Sequence, residues 1–415
     1  MLPSEDGEQA NSMAAAVARR SYGKLVAVLC SRTRHVAAAE DALSEAFATA
    51  LAEWPGSGCP ANPEGWLLTV ARRKLIDVGR RRQVAESAAE QLKILEDGLA
   101  EIGNDGEIPD RRLALMFACA HPAIDEGVRA PLMLQTILGF DAGAIACAFL
   151  ASPAAMGKRL GRAKEKIRQA GIPLRIPEAD ELRDRLDAVL DAIYAAFAAG
   201  WSDPGATDFA RRELAGEALY LGRLVSELLP SEPEALGLLA LMLHAEARRH
   251  ARRSAGEYVP LADQDPGLWD ADMIHEAEAL LLRASTLGAI GRFQLEAALQ
   301  SAHAHRRRSG RADWSVVVQL YDALLDISAS PVVAINRALA VSERDGVHAG
   351  LAALEAVAND ARVIQYQPYW AARADLLSRS GAWAEAAHAY DIAIGLERDP
   401  AVRRFLQRRR GALQG

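Results

Sequence analysis

Aromatic residues, cysteines and long apolar runs are scarce in this chain of 415 residues. Aromatic residues make up 6% of it, which argues against a β-rich fold, because strands favour aromatic and β-branched side chains. No uncharged run is long enough to span a bilayer, and no signal peptide opens the chain. The four cysteines lie far apart and form no CxxC pair: Cys30, Cys59, Cys119 and Cys147. We therefore predict reduced thiols, no metal or other cofactor, no membrane contact and a cytoplasmic location.

Alanine, leucine and arginine are abundant instead, and half of all residues are hydrophobic. These three residues are strong helix formers, so the composition predicts an all-α fold. The length allows two to four domains with a substantial core. Because 48 basic residues face 55 acidic ones, giving a net charge of −7, any contact with nucleic acid must come from local basic patches.

The stretch over residues 140–170, FDAGAIACAFLASPAAMGKRLGRAKEKIRQA, predicts two short helices joined by a tight turn. Asp141 can cap the first helix, while Ser152 and Pro153 suit the cap and the first position of the second. Apolar residues of the second helix recur in steps of four, three and four: Met156, Leu160, Ala163 and Ile167. This spacing predicts one buried stripe.

The other faces of that second helix are strongly cationic. Ala154 and Ala155 at its start allow close approach to bases, and the cations that follow would lie near phosphates. A helix-turn-helix inserts such a helix into the DNA major groove. We predict DNA contacts by Ala154, Ala155, Lys158, Arg159, Arg162 and Lys164. The alternative is a helical hairpin with a solvated charged face.

Residues 1–83 predict a three-helix unit with an acidic face and a basic end. The second helix, residues 36–54, has an acidic edge formed by Glu40, Asp41 and Glu45. A loop follows over residues 55–63, in which Asn62 can cap a third helix. The later turns of that third helix are cationic: Arg72, Arg73, Lys74, Arg80, Arg81 and Arg82. For the last three arginines, a solvated helix end favoured by the helix dipole is the alternative.

Three further segments complete the N-terminal half. Residues 84–108 are polar and acidic and predict a linker. Residues 109–171 predict a second compact unit that ends in the helix-turn-helix. Two prolines within residues 172–186 exclude a continuous helix there, so this segment is predicted to be an extended strap.

Taken in order, these motifs resemble the extracytoplasmic-function (ECF) group of bacterial sigma-70 factors. The resemblance rests on AEDALSEAFATALAEWP at 39–55, NPEGWLLTVARRKLIDVGRRR at 62–82 and the helix-turn-helix stretch. It implies that residues 1–83 are sigma region 2 and residues 109–171 are region 4. It also implies a protein without enzymatic activity, which binds core RNA polymerase and promoter DNA.

The resemblance implies a role for each group of residues. The acidic edge Glu40, Asp41 and Glu45 would dock on the clamp helices of the polymerase β′ subunit by charge complementarity. Asn62 and the cations of the third helix, from Arg72 to Arg82, would bind the opened −10 element. The second helix of the helix-turn-helix would read the −35 element, and region 4 would also bind the β flap.

Residues 187–415 predict a long helical extension with an internal repeat. WSVVVQLYDALLDISASP at 314–331 aligns without gaps to WAEAAHAYDIAIGLERDP at 383–400, 69 residues later. Half of that offset is close to the tetratricopeptide period of roughly 34 residues. We therefore predict a helical part at 187–290 and tetratricopeptide-like (TPR-like) repeats at 291–415, which would form a curved solenoid.

The whole chain is similar to the ECF subgroup with a long C-terminal TPR-like (DUF6596-type) extension. This resemblance implies that the extension regulates the protein, by contact with the sigma domains, the polymerase or a signal protein. The alternative function is that of a one-component transcription regulator, which would sense a ligand through the extension and bind an operator as a dimer. The region 2 motifs argue against it, because an operator-binding protein has no use for a helix that docks on the polymerase clamp. A further alternative is that the extension is an enzyme. Its sequence contains no nucleophile–base pair or Gly-rich phosphate loop that would support this hypothesis.

One acidic loop allows two interpretations. Asp263, Asp265 and Asp270 lie beside Trp269, and they could form a metal or substrate site. We favour the alternative, in which the loop only caps the helix that starts at Ala271.

Overall fold

The computed structural model describes residues 5–33, 35–83, 111–148, 152–201, 209–310 and 313–414. Within these ranges it has 19 α-helices and almost no strand, so the predicted all-α fold is confirmed. The chain forms two compact units, which are described separately. The N-terminal unit comprises residues 1–200 and 213–218, and the C-terminal unit comprises residues 201–212 and 219–415.

The first eight helices begin in the N-terminal unit: α1 (Glu5–Thr33), α2 (Val36–Ser57), α3 (Pro63–Gln83), α4 (Arg112–Cys119), α5 (Glu126–Leu138), α6 (Ala142–Ala148), α7 (Pro153–Gln169) and α8 (Ala179–Trp201). The remaining eleven are α9 (Phe209–Leu228), α10 (Pro233–Glu246), α11 (Ala271–Ser285), α12 (Arg292–Ser309), α13 (Trp314–Ser328), α14 (Pro331–Asp345), α15 (Val347–Glu355), α16 (Ala361–Ile364), α17 (Gln367–Arg379), α18 (Trp383–Leu396) and α19 (Pro400–Gly411).

The end of α2 differs from the sequence prediction. The helix does not stop at Trp54 but continues through Pro55 to Ser57. It ends at Gly58, whose φ of 81° is accessible to glycine, and whose N–H donates to the Trp54 carbonyl at 3.0 Å. The predicted start of α3 is confirmed, because Asn62 Oδ1 accepts from the Gly65 N–H at 2.9 Å.

Helix α1 is the central element of the N-terminal unit. It packs on α2 and α3, with which it forms the first helical group. It also packs on α4 and α5, which together with α6 and α7 form the second helical group. Gly23 makes the second contact possible, because a Cβ at this position would lie 1.9 Å from the carbonyl oxygen of Ile137. Helix α7 completes the contact by packing on both α2 and α5.

The helices predicted within residues 140–170 form as expected. Asp141 caps α6 by accepting from the Gly143 and Ala144 N–H groups at 2.7 and 2.9 Å. Ser152 caps α7 by accepting from Ala155 N–H at 3.3 Å, and Pro153 occupies the first turn. The predicted stripe is buried in full: Met156, Leu160, Ala163 and Ile167. The turn itself, residues 149–151, and the predicted linker lie outside the described residues.

The predicted strap of residues 172–186 is too long. The chain has no regular structure between Gly171 and Glu178, and helix α8 begins at Ala179, because the helix-breaking effect of Pro177 does not reach beyond the residues next to it. Arg185 on α8 is buried, and its Nη2 donates to the Phe117 carbonyl at the end of α4 at 3.1 Å. This contact ties the start of the extension to the second helical group.

Helix α10 forms the core of the first part of the C-terminal unit. Ten consecutive residues, from Ala235 to His244, are buried between α11 and α12. The Glu234 carboxylate accepts from the N–H groups of Phe293 at 2.8 Å and Gln294 at 3.1 Å. It thereby caps α12 from a separate helix, which fixes the packing of α10 on α12.

A 3₁₀ turn and a short hairpin follow α10, within the part at residues 187–290 that was predicted to be helical. Helix α10 ends at Glu246, a 3₁₀ turn covers Arg249–Arg252, and strands β1 (Arg253–Ser254) and β2 (Glu257–Tyr258) pair antiparallel. The turn between the strands has Ala255 at φ 51° and Gly256 at φ 80°. Two positive φ values match the tight turns that suit two-residue hairpins.

The last helix packs back on this hairpin. Tyr258 meets the Phe405 ring edge-on, with 5.6 Å between ring centroids. The Glu257 carboxylate accepts from Arg404 at 2.8 Å and from Arg408 at 2.7 Å, and Arg253 pairs with Asp399. These contacts form a clasp that holds α19, the final helix of the repeats, on the hairpin in the first part of the C-terminal unit.

The sequence repeat is also a structural repeat. Helices α13 and α18 start at the aligned tryptophans Trp314 and Trp383, and each is followed by a helix that starts with proline. The aligned tyrosines, Tyr321 and Tyr390, are both buried. The aspartates that follow them pair with an arginine on the next helix, Asp322 with Arg337 and Asp391 with Arg410.

Candidate polymerase- and nucleic-acid-binding surfaces

The acidic edge of α2 is split between solvent and interior. Asp41 and Glu45 are exposed, as a docking surface requires. Glu40 is only 8% exposed. The sequence therefore placed the three carboxylates on one helix correctly, but the structure leaves two of them accessible.

Glu40 is buried because it forms an ion pair with Lys164 of α7. The two side chains are 11% and 12% exposed, and the residues are 124 positions apart in the chain. Burial raises the pKa of the Glu40 carboxyl, and the charge of Lys164 opposes that rise. Glu40 Oε1 is buried and accepts no hydrogen bond. One predicted polymerase contact and one predicted DNA contact are thus bound to each other.

The cations predicted for the −10 element differ in accessibility. Arg73 is exposed, whereas Arg72 and Lys74 are half-buried. Lys74 forms an ion pair with the exposed Glu45 at 3.1 Å. The side chains of Arg80, Arg81 and Arg82 lie outside the described part of the chain. Asn62 is exposed, but its carbonyl oxygen is engaged in the cap of α3.

Most of the predicted recognition surface of α7 is open to solvent. Ala154, Ala155, Lys158 and Arg162 are exposed. Arg159 is half-buried, since its Nη2 lies 3.3 Å from the Gly127 carbonyl oxygen and 3.6 Å from the Asp125 carboxylate. A cleft of about 260 Å³ opens between this part of α7 and the start of α5, and its cationic residues are Arg159, Arg162 and Lys166. Lys164 is the predicted contact that does not belong to this surface.

The position of Lys164 on α7 is consistent with its burial. The residue lies four positions after Leu160 and three before Ile167, at the edge of the buried stripe. A position at this edge can face either solvent or a neighbouring helix. Sequence reasoning missed the neighbouring helix because α2 is far away in the chain.

Two buried thiols lie close to the Glu40–Lys164 pair. Cys30 on α1 and Cys119 on α4 are both 0% exposed. Burial raises the pKa of Cys119 to about 12, and the charge of Glu40 adds to the rise while Lys164 opposes it. Burial likewise raises the pKa of Cys30 well above its usual range. Cys59 is exposed, in the loop between α2 and α3.

A groove lies among the repeats of the extension. It has a volume of about 720 Å³ between α16–α17 and α18. Trp370 and Leu377 form an apolar part of the wall, and Arg373, Glu385 and His388 add polar groups. Trp370 Nε1 donates to the Ile364 carbonyl at 2.8 Å, which holds the indole ring in place.

The acidic loop before α11 serves as a cap. Asp270 Oδ1 accepts from the Met273 N–H at 2.9 Å, and Asp265 accepts from the Gly267 N–H at 2.8 Å. Within the described residues, no group of three or more His, Cys, Asp or Glu side chains is arranged to hold a metal ion. In the same residues, no helix is sufficiently long and apolar to cross a bilayer.

Residues 17–84 match the family model described as Sigma-70 region 2. The chain belongs to the sigma-70 family. Residues 185–285 of this sigma factor match a second model, described as a family of unknown function (DUF6596). The two domains in one chain support the resemblance to ECF-type factors with a C-terminal extension, and region 2 gives the protein a role in transcription initiation through core RNA polymerase and promoter DNA.

A curated relative is similar to this sigma factor over most of the length of both chains. The uncharacterized protein R00370 of Rhizobium meliloti (strain 1021) is 39% identical over 369 residues, covering 88% of this chain and 87% of the relative. The similarity therefore extends over most of the chain. No solved structure matches the chain.

Proposed function

We propose that the protein is an ECF-type sigma factor that directs core RNA polymerase to specific promoters under the control of its own C-terminal extension. The observation that carries the proposal is the order of parts along the chain. A Sigma-70 region 2 match covers most of α1–α3, the cationic helix α7 follows, and a DUF6596 match begins at the start of the extension.

Region 2 would dock on the β′ clamp helices through the acidic edge of α2. The exposure of Asp41 and Glu45 supports this role, because exposed carboxylates steer the approach of a basic partner. The cations of α3 would then bind phosphates of the opened −10 strand. Arg73 is the best-placed of those described, since its side chain is exposed and on the same helix as the cap residue Asn62.

Helix α7 would read the −35 element as the second helix of a helix-turn-helix. Small residues at its start, Ala154 and Ala155, are exposed next to Lys158. This arrangement fits a helix that enters the major groove with its N-terminal end and holds phosphates along its length. The cleft beside Arg159 and Arg162 adds a second surface, which would receive a segment of the β flap.

The extension would act by binding a protein, as helical repeats commonly do. Its support is the TPR-like pairing of α13 with α14 and of α18 with α19, and the groove next to Trp370. Binding at this groove would bias the sigma domains between active and inactive forms. The protein would have no chemistry of its own and would reside in the cytoplasm with its polymerase.

Dependence of DNA binding on core polymerase tests the proposal. A labelled library of promoter-sized fragments is incubated with the full-length protein, with core polymerase, or with both, and retained fragments are sequenced. The proposal predicts specific retention only with both components. Specific retention by the protein alone, on palindromic sites, would support a one-component regulator instead.

A further inference from the structure

We infer that the N-terminal unit is a closed form of the sigma factor, fastened by the Glu40–Lys164 ion pair, and that this pair must break before the protein engages polymerase and promoter. The effect of this pair on polymerase and promoter binding rests on the proposed function. The contact between the two helices does not depend on that function.

The closed form joins two surfaces that the proposed function needs separately. Glu40 lies on the α2 edge predicted to meet the polymerase, and Lys164 lies on the helix predicted to meet DNA. Each side chain is nearly nine-tenths buried by the other helix and its neighbours. While they are paired, neither side chain can reach a second partner.

The contact around the pair is specific in shape. Gly23 of α1 lies against the main chain of Ile137 on α5, where no side chain fits. Gly139, at φ 73°, lies against the ring of Tyr22, and a Cβ there would be 3.0 Å from Cδ1. The two helical groups therefore meet at close range at Tyr22 and Gly23 of α1, and the ion pair joins α2 to α7.

The energetics of a buried ion pair suit a contact that opens. Removing two charges from water costs about as much as their attraction returns, so a complete pair adds little net stability. Removing one partner is different, because the remaining charge is then buried without compensation. The pair thus fixes how the two groups meet, while leaving the closed form easy to open once both charges are solvated or bound elsewhere.

Distance measurement in the full-length protein tests the closed form without polymerase. Spin labels are attached to Cys59, next to α2, and to Gln169→Cys at the exposed end of α7, in a Cys147→Ala background. Cys30 and Cys119 are buried with raised pKa values and stay unlabelled under brief treatment at pH 7, which peptide mass spectrometry verifies. The closed form predicts one narrow distance distribution.

Two variants, one on each helix, break the pair in different ways. Glu40→Lys opposes two cations, and Lys164→Met leaves the carboxylate alone. Each is expected to broaden and lengthen the distribution with unchanged helix content by circular dichroism, and Glu40→Lys/Lys164→Glu is expected to restore the narrow peak. Glu53→Lys reverses an exposed charge on the same helix and is the matched control, expected to change nothing. A broad distribution in the parent, a narrow one in both single variants, or a double variant that stays open would overturn the inference.

Core polymerase separates this inference from the proposed function. Added to the parent, polymerase should broaden the distribution, and Lys164→Met should bind polymerase without DNA about tenfold more tightly, if the closed form is populated about ten to one. The parent could give the narrow distribution and the single variants the broadened ones while no form binds polymerase. That result would support the closed form and contradict the proposed function. If the parent gives a broad distribution and still supports polymerase-dependent transcription, the proposed function is supported and the closed form is contradicted.

Discussion

Glu40 and Lys164 bind each other across 124 residues of sequence, and each has about one-ninth of its side chain exposed. The pair brings α2 of the region 2 match against α7, the predicted recognition helix. Region 2 and the helices that follow it are therefore in direct contact within the N-terminal unit.

Replacing Gly23 with alanine is expected to disrupt this contact. The added Cβ would meet the main-chain carbonyl of Ile137, which cannot move without shifting α5. We expect a loss of about 1–3 kcal/mol in the free energy of unfolding, measured by urea denaturation. Gly161→Ala is the control, because nothing lies within 4 Å of the new methyl group and alanine favours helix, so this variant should be neutral or slightly stabilised. Equal stability of the two variants would contradict the close approach of α1 and α5.

Alanine substitutions at Arg162 and Arg159 should both weaken promoter recognition but should differ in their effect on stability. Both changes are expected to weaken −35 recognition by the polymerase complex, because each removes a cation from the exposed side of α7. Only Arg159→Ala should also lower the melting temperature, by an amount corresponding to less than about 1 kcal/mol, since it loses the contacts to Gly127 and Asp125. Gln169→Ala, at the exposed end of the same helix, serves as the control. Unchanged promoter output from both arginine variants would remove α7 as the recognition helix.

The boundary of a stable truncated form lies beyond the strap. A chain cut after Pro177 loses α8, and with it the buried Arg185 that donates to the Phe117 carbonyl. We expect residues 1–200 to unfold cooperatively and residues 1–177 to be less stable by about 1–3 kcal/mol, because the Phe117 carbonyl loses its hydrogen bond from the charged Arg185 side chain. Chemical denaturation of both fragments measures the difference. Identical stabilities would mean that α8 is not part of the N-terminal unit.

The clasp between α19 and the hairpin should depend on Phe405 more than on its arginines. Phe405→Ala removes the ring that packs on Tyr258, and we expect a loss of about 1–3 kcal/mol together with faster hydrogen exchange at residues 253–258. Arg404→Ala removes one exposed donor to Glu257 and should cost less than about 1 kcal/mol. Slower or unchanged exchange at the hairpin in Phe405→Ala would show that the clasp does not hold it.

Acid should weaken the same clasp. Hydrogen bonds from Arg408 and Arg404 lower the pKa of Glu257 below its usual value of 4.5. A carboxylate whose folded pKa is lowered contributes stability above the unfolded pKa and loses it as pH falls through the folded value. The difference in melting temperature between the protein and Glu257→Gln is therefore expected to be constant from pH 7 to 5 and to shrink below pH 4.5. A difference that grows on acidification would contradict the arginine contacts.

Local features of the structure follow from the sequence because their causes are local. Ser152 and Pro153 start α7, Asp141 caps α6, and Asp270 caps α11, each through contacts to residues two or three positions away. The aligned Tyr-Asp pairs of the repeat also kept their places, with the tyrosine buried and the aspartate bonded to the next helix.

Contacts between distant segments did not follow from the sequence. The sequence predicts Lys164 among the DNA-facing cations, because helical spacing shows which face a residue occupies but not which helix covers it. The hairpin was missed because its strands are only two residues long, and Ala255 adopts a positive φ that alanine rarely takes. The role of Glu234 as the cap of α12 depends on a packing contact 59 residues away.

Transcription in vitro from a library of genomic promoter fragments, with core RNA polymerase and the full-length protein, tests the central claim most directly. A sigma factor of this kind predicts new start sites that require the protein, share two sequence elements and weaken with Arg162→Ala. If the closed form dominates, Lys164→Met should raise output from promoters whose −35 element tolerates that change. Start sites that are the same with and without the protein, under conditions in which no variant binds polymerase, would contradict its role as a promoter-specificity subunit.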